Sequence, residues 1–344
     1  MKRIDVRAGK PYQVKIGRGL LRSCGAEMQG INLYGKIMIV TDDNVAPLYL
    51  QTVSESLKNC GFSVYSHTLP HGENSKNFDE LVKLLNFTAH CGLTRSDTLV
   101  ALGGGVVGDL CGFAAAIYMR GVHFVQLPTT LLAAVESSVG GKTAVDLTAG
   151  KNLAGAFYQP DLVLCDPEPF ATLPGEEYAN GMAEVIKYGF IRDKELLELL
   201  QQSFEEEEVV ARCVQSKADI VANDEFDRGE RMLLNFGHTV GHAIEAKSGY
   251  AIPHGQAVAI GMVKITQACV KNGLCPQETL DIMLKLTERY GLPTESPYPM
   301  SELFDYMVND KKSSGDAITF VLPRETGNCE LKKLTRTEWT ALLS

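Results

Sequence analysis

The sequence predicts an α/β protein: an N-terminal Rossmann-like, mostly parallel α/β domain followed by a mainly α-helical domain. Three observations carry this expectation. Short β-branched apolar runs alternate with helically spaced stretches through the first half of the chain. A glycine-rich loop at 103–108 falls between one such run and a helical stretch. After Leu173-Pro174-Gly175, strand-like runs almost disappear. Parallel strands need long crossovers, usually helices, so strict alternation points to a parallel sheet.

The elements follow in order. KIMIV (36–40) reads as a short strand ending in TDDN. Residues 46–57 have helical spacing and stop at Asn59-Cys60-Gly61, a C-cap signal. FSVYSHTL (62–69) alternates like a strand. Residues 78–90 are helical and end before Gly92. TLVAL (98–102) reads as a buried strand, followed by the glycine loop and a helix from Asp109. HFVQL (123–127) and DLVLC (161–165) complete the pattern. The boundary falls near residue 174, giving domains 1–174 and 175–344. Beyond it the patterns are helical to about Asp310, and ITFVL (318–322) pairs with 330–334 as a small hairpin. The acidic run 205–208 reads as a solvated helix start, where carboxylates suit the macrodipole.

A chain of 344 residues is long enough for two cores. Its net charge of −9 argues against nucleic acid as a partner, because duplex binding rests on Lys and Arg neutralising phosphates. A small anionic ligand in a locally basic pocket stays open. Nine scattered cysteines without a C-x-x-C pair suggest reduced thiols in a cytoplasmic protein. The start, MKRIDVRAGKPY, lacks the apolar core of a signal peptide. The longest apolar region, 98–119, contains Asp109 and the glycine cluster, so no membrane span is expected.

Gly103, Gly105 and Gly108 spell G-x-G-x-x-G between strand and helix, where backbone N–H groups can approach a pyrophosphate at a helix N-terminus. A tight packing turn is the competing reading. No Asp or Glu follows about 20 residues on to hold a ribose. Asp42, at the end of an earlier strand, is the candidate instead. SSVGGKT (137–143) ends like a P-loop, but the leading glycine of that motif would fall at Glu136, so the match fails. Lys142 remains a point-charge candidate for an anion.

His238 and His242 lie one helical turn apart, and His254 follows in PHGQ at the expected start of the next helix. Glu184 and Lys187 lie three apart in GMAEVIKYG. Two imidazoles and a carboxylate with one open position suit a catalytic divalent metal. Which of the histidines ligate is left open by spacing. Packing pairs and a helix ion pair are the plainer readings of each residue alone. They do not explain the glycines and alanines around all of them. Arg120, Lys142, Lys151, Lys187, Lys217 and Arg231 recur among Gly, Ala, Val and Ile. Such cations are aimed into a cleft more readily than at bulk water, since a buried charge needs a partner. Together they suggest a small ligand with several anionic groups, such as phosphate plus carboxylate. Scattered structural ion pairs are the alternative.

Taken together, GGGVVGD (103–109), YMRGV (118–122), QLPTTLLA (126–133), SSVGGKT, GKN (150–152), AEVIKYG (183–189), LLNFGHTVGHAIE (233–245), HGQAVAIGM (254–262) and DKK (310–312) resemble the 3-dehydroquinate synthase family of sugar phosphate cyclases, in the family's order over about 40–312. The resemblance implies a homodimeric enzyme using NAD and a divalent metal, Zn²⁺ or Co²⁺. Its substrate would be 3-deoxy-D-arabino-heptulosonate 7-phosphate, a sugar phosphate carboxylate of the shikimate route. The implied reaction is transient oxidation, β-elimination of phosphate, re-reduction, ring opening and aldol closure.

By position, the resemblance implies metal ligands Glu184, His238 and His254, leaving His242 to the phosphate side and to proton handling. It implies NAD contacts from Asp42, Gly72, Glu73, Lys76, Gly104, Gly105, Val106, Asp109, Thr129, Thr130, Lys142, Lys151, Thr172 and Leu173. Lys142 and Arg231 would meet the substrate carboxylate, and Lys187 and Lys217 the hydroxyls. Asn152, Asn235, His242 and Lys312 would hold the phosphate, with Arg120 reaching in from a second subunit. Glu136, Asp227 and His71 depart from the family pattern. The competing readings are a sister cyclase acting on a substrate without a carboxylate, an NAD-dependent metal alcohol or glycerol dehydrogenase, and a non-catalytic binding protein.

Overall fold

Residues 1–309 and 317–344 are described by a computed structural model. They divide into two compact units, one of Met1–Leu173 with Lys217–Glu225, the other of Pro174–Ser216 with Phe226–Ser344. Residues 217–225 thus group with the first unit, although they follow the boundary read from the sequence.

The strands of the first unit are β1 (Lys2–Val6), β2 (Tyr12–Ile16), β3 (Lys36–Asp42), β4 (Ser63–Leu69), β5 (Thr98–Gly103), β6 (His123–Pro128), β7 (Lys142–Leu147), β8 (Gly150–Phe157) and β9 (Leu162–Cys165). Its helices are α1 (Leu20–Gln29), α2 (Gln51–Asn59), α3 (Phe78–His90) and α4 (Gly105–Ile117). Seven strands form one sheet in the order β1-β2-β9-β6-β5-β3-β4. All neighbours are parallel except the edge hairpin β1–β2. β7 and β8 pair separately as an antiparallel hairpin.

Alternation within the strands explains the two helical layers. Met38, Val40, Leu99 and Ala101 face one core with Leu81, Leu84, Leu110 and Ala114 of α3 and α4. Ile37, Ile39, Val100 and Leu102 face the other, with Leu21, Cys24, Val53 and Leu57 of α1 and α2. Strands buried on both faces read as continuous apolar runs. α3 begins where Asn77 Oδ1 accepts the Glu80 N–H at 2.9 Å, a side-chain cap followed by Asp79 and Glu80 in the first turn.

Three features differ from the sequence expectation. α4 starts at Gly105, one turn before Asp109. Gly108 and Gly112 are helical because they bring α4 close to the sheet: a Cβ at Gly108 would lie 2.8 Å from Gln126 Oε1, and one at Gly112 2.9 Å from the Phe124 ring. The segment 46–57 opens with a π-helical turn, Ala46–Leu50, before α2. The hairpins β1–β2 and β7–β8 and helix α1 were not anticipated. Gly141-Lys142 therefore leads into a strand, not the helix that a P-loop requires.

The second unit holds α5 (Gly175–Ile191), α6 (Lys194–Leu199), most of α7 (Glu206–Asn223), α8 (His238–Lys247), α9 (His254–Lys271), α10 (Gln277–Arg289), α11 (Met300–Asn309), the hairpin β10 (Ala317–Glu325) and β11 (Asn328–Thr335), and α12 (Arg336–Leu343). α7 does start in the acidic run, and α9 does start at His254. α5 is buried along its whole length from Asn180. α12 opens on a capping box of Thr335 and Glu338 and buries Trp339. All nine cysteines are free thiols. Among the described residues no helix is long and apolar enough to cross a membrane.

Candidate cofactor loop and metal centre

In the first unit, β3 connects to β4 on one side, whereas β5 and β6 lie on the other. The order reverses between β3 and β5, and in open α/β sheets ligands bind beyond the strand carboxyl ends at such a point. The structure puts Asp42 at the end of β3 and Gly104, Gly105 and Val106 just past the end of β5, on adjacent strands. An acidic residue therefore stands at the neighbouring strand end, which comes earlier in the chain, where none follows downstream of the glycines. Asp42 Oδ1 accepts the Asn44 and Val45 N–H groups at 3.0 and 2.8 Å, which fixes the turn. Thr129 and Thr130 follow the end of β6, Thr172 and Leu173 follow β9, and Gly72 and Glu73 follow β4. All of these carboxyl ends belong to one edge of a parallel sheet.

The glycine loop has the features an anion site needs. Gly104 precedes α4 in extended conformation and offers no side-chain cap, so the first N–H groups of the helix have no capping acceptor. The Thr129 N–H donates to Gly103 O at 3.0 Å, tying the two strand ends together. Among the described residues Thr129 Oγ1 and Ser137 Oγ are buried without a hydrogen-bond partner, and a Cβ at Gly105 would come 3.3 Å from Ser137 Oγ. Buried hydroxyls ordinarily find partners. Orphan hydroxyls beside free helix N–H groups fit a pyrophosphate-bearing cofactor.

One turn into α4, Asp109 takes Lys76 Nζ at 2.5 Å, and Lys76 also donates to Asn152 Oδ1 at 2.6 Å. Burial works against the charge on Lys76, but Asp109 and Glu73 outweigh it and raise its pKa. Lys151 faces Glu73 at 3.6 Å. The reading from sequence missed Asp146, whose Oδ1 accepts the Asn152 N–H and whose own N–H donates to Lys76 O, both at 2.7 Å. Asn152 is held with φ 57°. An Asp shortly before a glycine turn was the available signal. Glu136 takes Lys217 Nζ at 2.7 Å. His71 pairs with Asp43 at 2.8 Å on the surface.

Three of the six cations in apolar surroundings are buried: Lys187, Lys217 and Arg231. Lys151 is half-buried, and Lys142 and Arg120 are exposed. Arg120 follows α4, whose 13 residues carry the chain about 20 Å back to the amino ends of the strands. Arg120 thus stands at the far end of α4 from the glycine loop. Lys312 lies outside the described residues.

In the second unit, Glu184 of α5, His238 of α8 and His254 of α9 converge. Their ligand atoms all lie within 4.8 Å of one another. Nε2 of His238 and of His254 stand 3.5 and 3.4 Å from Glu184 Oε1. Glu184 is fully buried, and among the described residues neither of its oxygens accepts a well-aligned hydrogen bond. Lys187, also fully buried, ion-pairs with Oε2. Burial opposes the charge on Glu184, but Lys187 outweighs it and holds the carboxyl well below the usual range. Burial, with Lys187, pushes His238 down to about 3, leaving it neutral as a ligand must be. Burial also pulls His254 down, but Glu184 and Glu245 outweigh that and raise it to about 10. A proton there occupies the place a cation would take. This donor set fits a divalent metal with an open coordination position.

Helix packing explains the convergence. A Cβ at Gly241 would lie 3.1 Å from the Ala257 backbone, and those at Gly255 and Gly261 would press on the Asn180 and Gly237 backbones. These glycines let α8 and α5 lie against α9 closely enough for the side chains to meet. His242 lies beside the centre, its ring 5.4 Å from His238 and 6.1 Å from His254 between centroids. Arg231 and Asn235 lie on the 3₁₀ turn Glu230–Asn235 that leads into α8.

The comparisons agree with this arrangement. The family models described as 3-dehydroquinate synthase N-terminal and C-terminal match residues 66–180 and 181–313. A 3-dehydroquinate synthase of Streptococcus suis (strain 05ZYH33) is 44% identical over 97% of both chains. One of Lactococcus lactis subsp. cremoris is 43% identical over 94% of both. Among solved structures, 2-deoxy-scyllo-inosose synthase complexed with carbaglucose-6-phosphate, NAD⁺ and Co²⁺ superposes with TM-score 0.88 at 23% identity, covering 99% of both chains. The 2-epi-5-epi-valiolone synthase of Streptomyces hygroscopicus subsp. jinggangensis 5008, with NAD⁺ and Zn²⁺ bound, gives 0.89 at 25%, covering 99% of this chain and 98% of that one. An iron-containing alcohol dehydrogenase shares the fold more distantly, with TM-score 0.67 at 15% identity and 90% and 92% coverage. Near-full-length identity above 40% and two family models in tandem place the chain in the 3-dehydroquinate synthase family.

Proposed function

We propose that the chain catalyses its family's reaction, converting 3-deoxy-D-arabino-heptulosonate 7-phosphate to 3-dehydroquinate and phosphate. The observation that carries this is the coexistence in one chain of a Glu-His-His cluster and a glycine loop at the sheet's switch point. When bound, NAD supplies a reversible hydride acceptor and the metal a Lewis acid for substrate hydroxyls. Among the possible ions we favour zinc, with cobalt as a substitute, since imidazole and carboxylate suit both.

The protein's own residues bind, orient and balance charge. In the first unit, the α4 N-terminus and Thr129 take the cofactor pyrophosphate, while Asp42, the 72–76 loop, Thr130, Thr172 and Leu173 line its remainder. The ring of Lys76, Asn152 and Asp146 holds Asn152 in place for the substrate phosphate. Lys142 meets a carboxylate, Lys151 lines the cofactor side, and Lys217, held by Glu136, meets a hydroxyl. In the second unit, Glu184, His238 and His254 ligate the metal. Lys187 faces hydroxyls, Arg231 the carboxylate, and Asn235 and His242 the phosphate. His242 is the group placed to move a proton there. Such a set works by positioning and preorganised charge, not by covalent chemistry.

The chain acts as a homodimer on this reading. Leu153 and Phe157 of β8, Phe78 and Val82 of α3, and Ile117 and Met119 are exposed apolar side chains on neighbouring elements. A second copy is the partner that would cover them, bringing its Arg120 along. Sedimentation equilibrium should give twice the chain mass, and a monomer at micromolar concentration removes the dimer.

The function is tested by incubating the protein with the heptulosonate phosphate, catalytic NAD⁺ and Zn²⁺. We expect one phosphate released per substrate and no net NADH. Accumulating NADH would instead mark a dehydrogenase. Turnover only of a substrate without a carboxylate would mark a sister cyclase.

A further inference from the structure

His254 uses its two ring nitrogens differently. Nε2 faces Glu184 Oε1 at 3.4 Å, while Nδ1 lies 3.3 Å from Glu245 Oε2. Glu245 lies on α8 and is 4% exposed. His238 shows the same division, with Nδ1 against Phe236 O at 3.1 Å and Nε2 against Glu184. Both imidazoles therefore turn one nitrogen to an oxygen acceptor and the other to one carboxylate.

We propose that Glu245 is a positioning residue of the metal centre: it accepts the Nδ1–H of His254, commits that ring to the tautomer with its lone pair on Nε2, and aims it at the ion. The inference rests on reading Glu184, His238 and His254 as ligands. A buried carboxylate needs a partner, and the His254 N–H supplies one. A carboxylate also accepts more strongly than the carbonyl serving His238, so it raises the basicity of His254 as a ligand. Glu245 could form a metal triad of its own with His242 and His254, whose ligand atoms also lie within 4.8 Å of one another. The ring geometry argues against that. Nδ1 and Nε2 diverge across the imidazole, so an ion taken by Nε2 beside Glu184 lies on the far side of the ring from Glu245.

The test measures Co²⁺ affinity by competition with a chromophoric chelator and records the visible spectrum of the Co²⁺-loaded protein. Glu245→Ala should weaken Co²⁺ binding by about 10–100-fold. Glu245→Gln keeps an acceptor oxygen at nearly the same shape and should recover most of that loss. In both variants the cobalt bands should keep their position and intensity, because the ligands are unchanged. Unaltered Co²⁺ affinity in Glu245→Ala overturns the proposal, and so does a changed band pattern, which would make Glu245 a ligand. His238→Ala in the same assay separates the two levels. If it too binds Co²⁺ as the parent does, the metal centre itself has been misread.

Discussion

His238→Ala should abolish stoichiometric metal binding and lower turnover by about 10³-fold or more. A metal acting as Lewis acid contributes several kcal/mol of transition-state stabilisation, and each 1.4 kcal/mol is about tenfold in rate. His238 is the cleanest ligand to remove. It is neutral before the ion arrives, and its loss strands no charge. Glu184→Ala should lose metal equally but fold less stably. It would leave the fully buried Lys187 without the carboxylate it pairs with, and breaking a buried ion pair from one side costs about 3–5 kcal/mol. The two variants therefore separate catalytic from structural loss. Metal per chain by atomic emission, kcat with added Zn²⁺, and urea midpoints are the measurements. Full metal content with normal turnover in His238→Ala would sink the ligand assignment.

Gly261→Val should destabilise the second unit by about 3 kcal/mol or more and weaken its metal binding at the same time. A Cβ at Gly261 would overlap Gly237 O and sit 3.1 Å from Gly241 N, so the obstacle is backbone that cannot rotate away. Relief requires α8 and α9 to separate, and they carry His238 and His254. Because metal binding is coupled to folded geometry, affinity falls with stability. Gly175→Ala is the control. Nothing lies within 4 Å of its added Cβ, and relief of backbone entropy should stabilise the chain by about 0.4–1 kcal/mol. Urea unfolding reads both as midpoint shifts at constant slope. A Gly261→Val chain that keeps both midpoint and metal affinity would show that the close approach does not position the ligands.

The contrast between these variants bears on what the sequence could disclose. β3, β5, β6 and β9 were legible because strands buried on both faces concentrate β-branched residues, and β4, at the sheet edge, because its residues alternate. α3 was legible because its helical spacing over 78–90 stops before Gly92, and the structure adds the Asn77 cap at its start. β7 and β8 were not, because a two-stranded hairpin of Lys, Gly, Asn and Ala has little periodic signal. The start of α4 was placed too late because its glycines look like loop until Gln126 and Phe124 are seen to need the space.

What the sequence by itself determined was local: the alternation of strands and helices, the glycine loop between β5 and α4, the helical spacing of His238 and His242, and cations among apolar neighbours. These depend on residues close in the chain, whose geometry is set by helix and strand periods. Tertiary structure decided which distant groups meet. It brought Asp42 beside the glycine loop through strand order, joined Lys76, Asp146 and Asn152 in one ring, and turned His254 toward Glu184 with Glu245 behind it. The reason is that such encounters depend on strand order and on how closely helices approach. Both are set by packing across the whole unit, and no repeat along the chain records them.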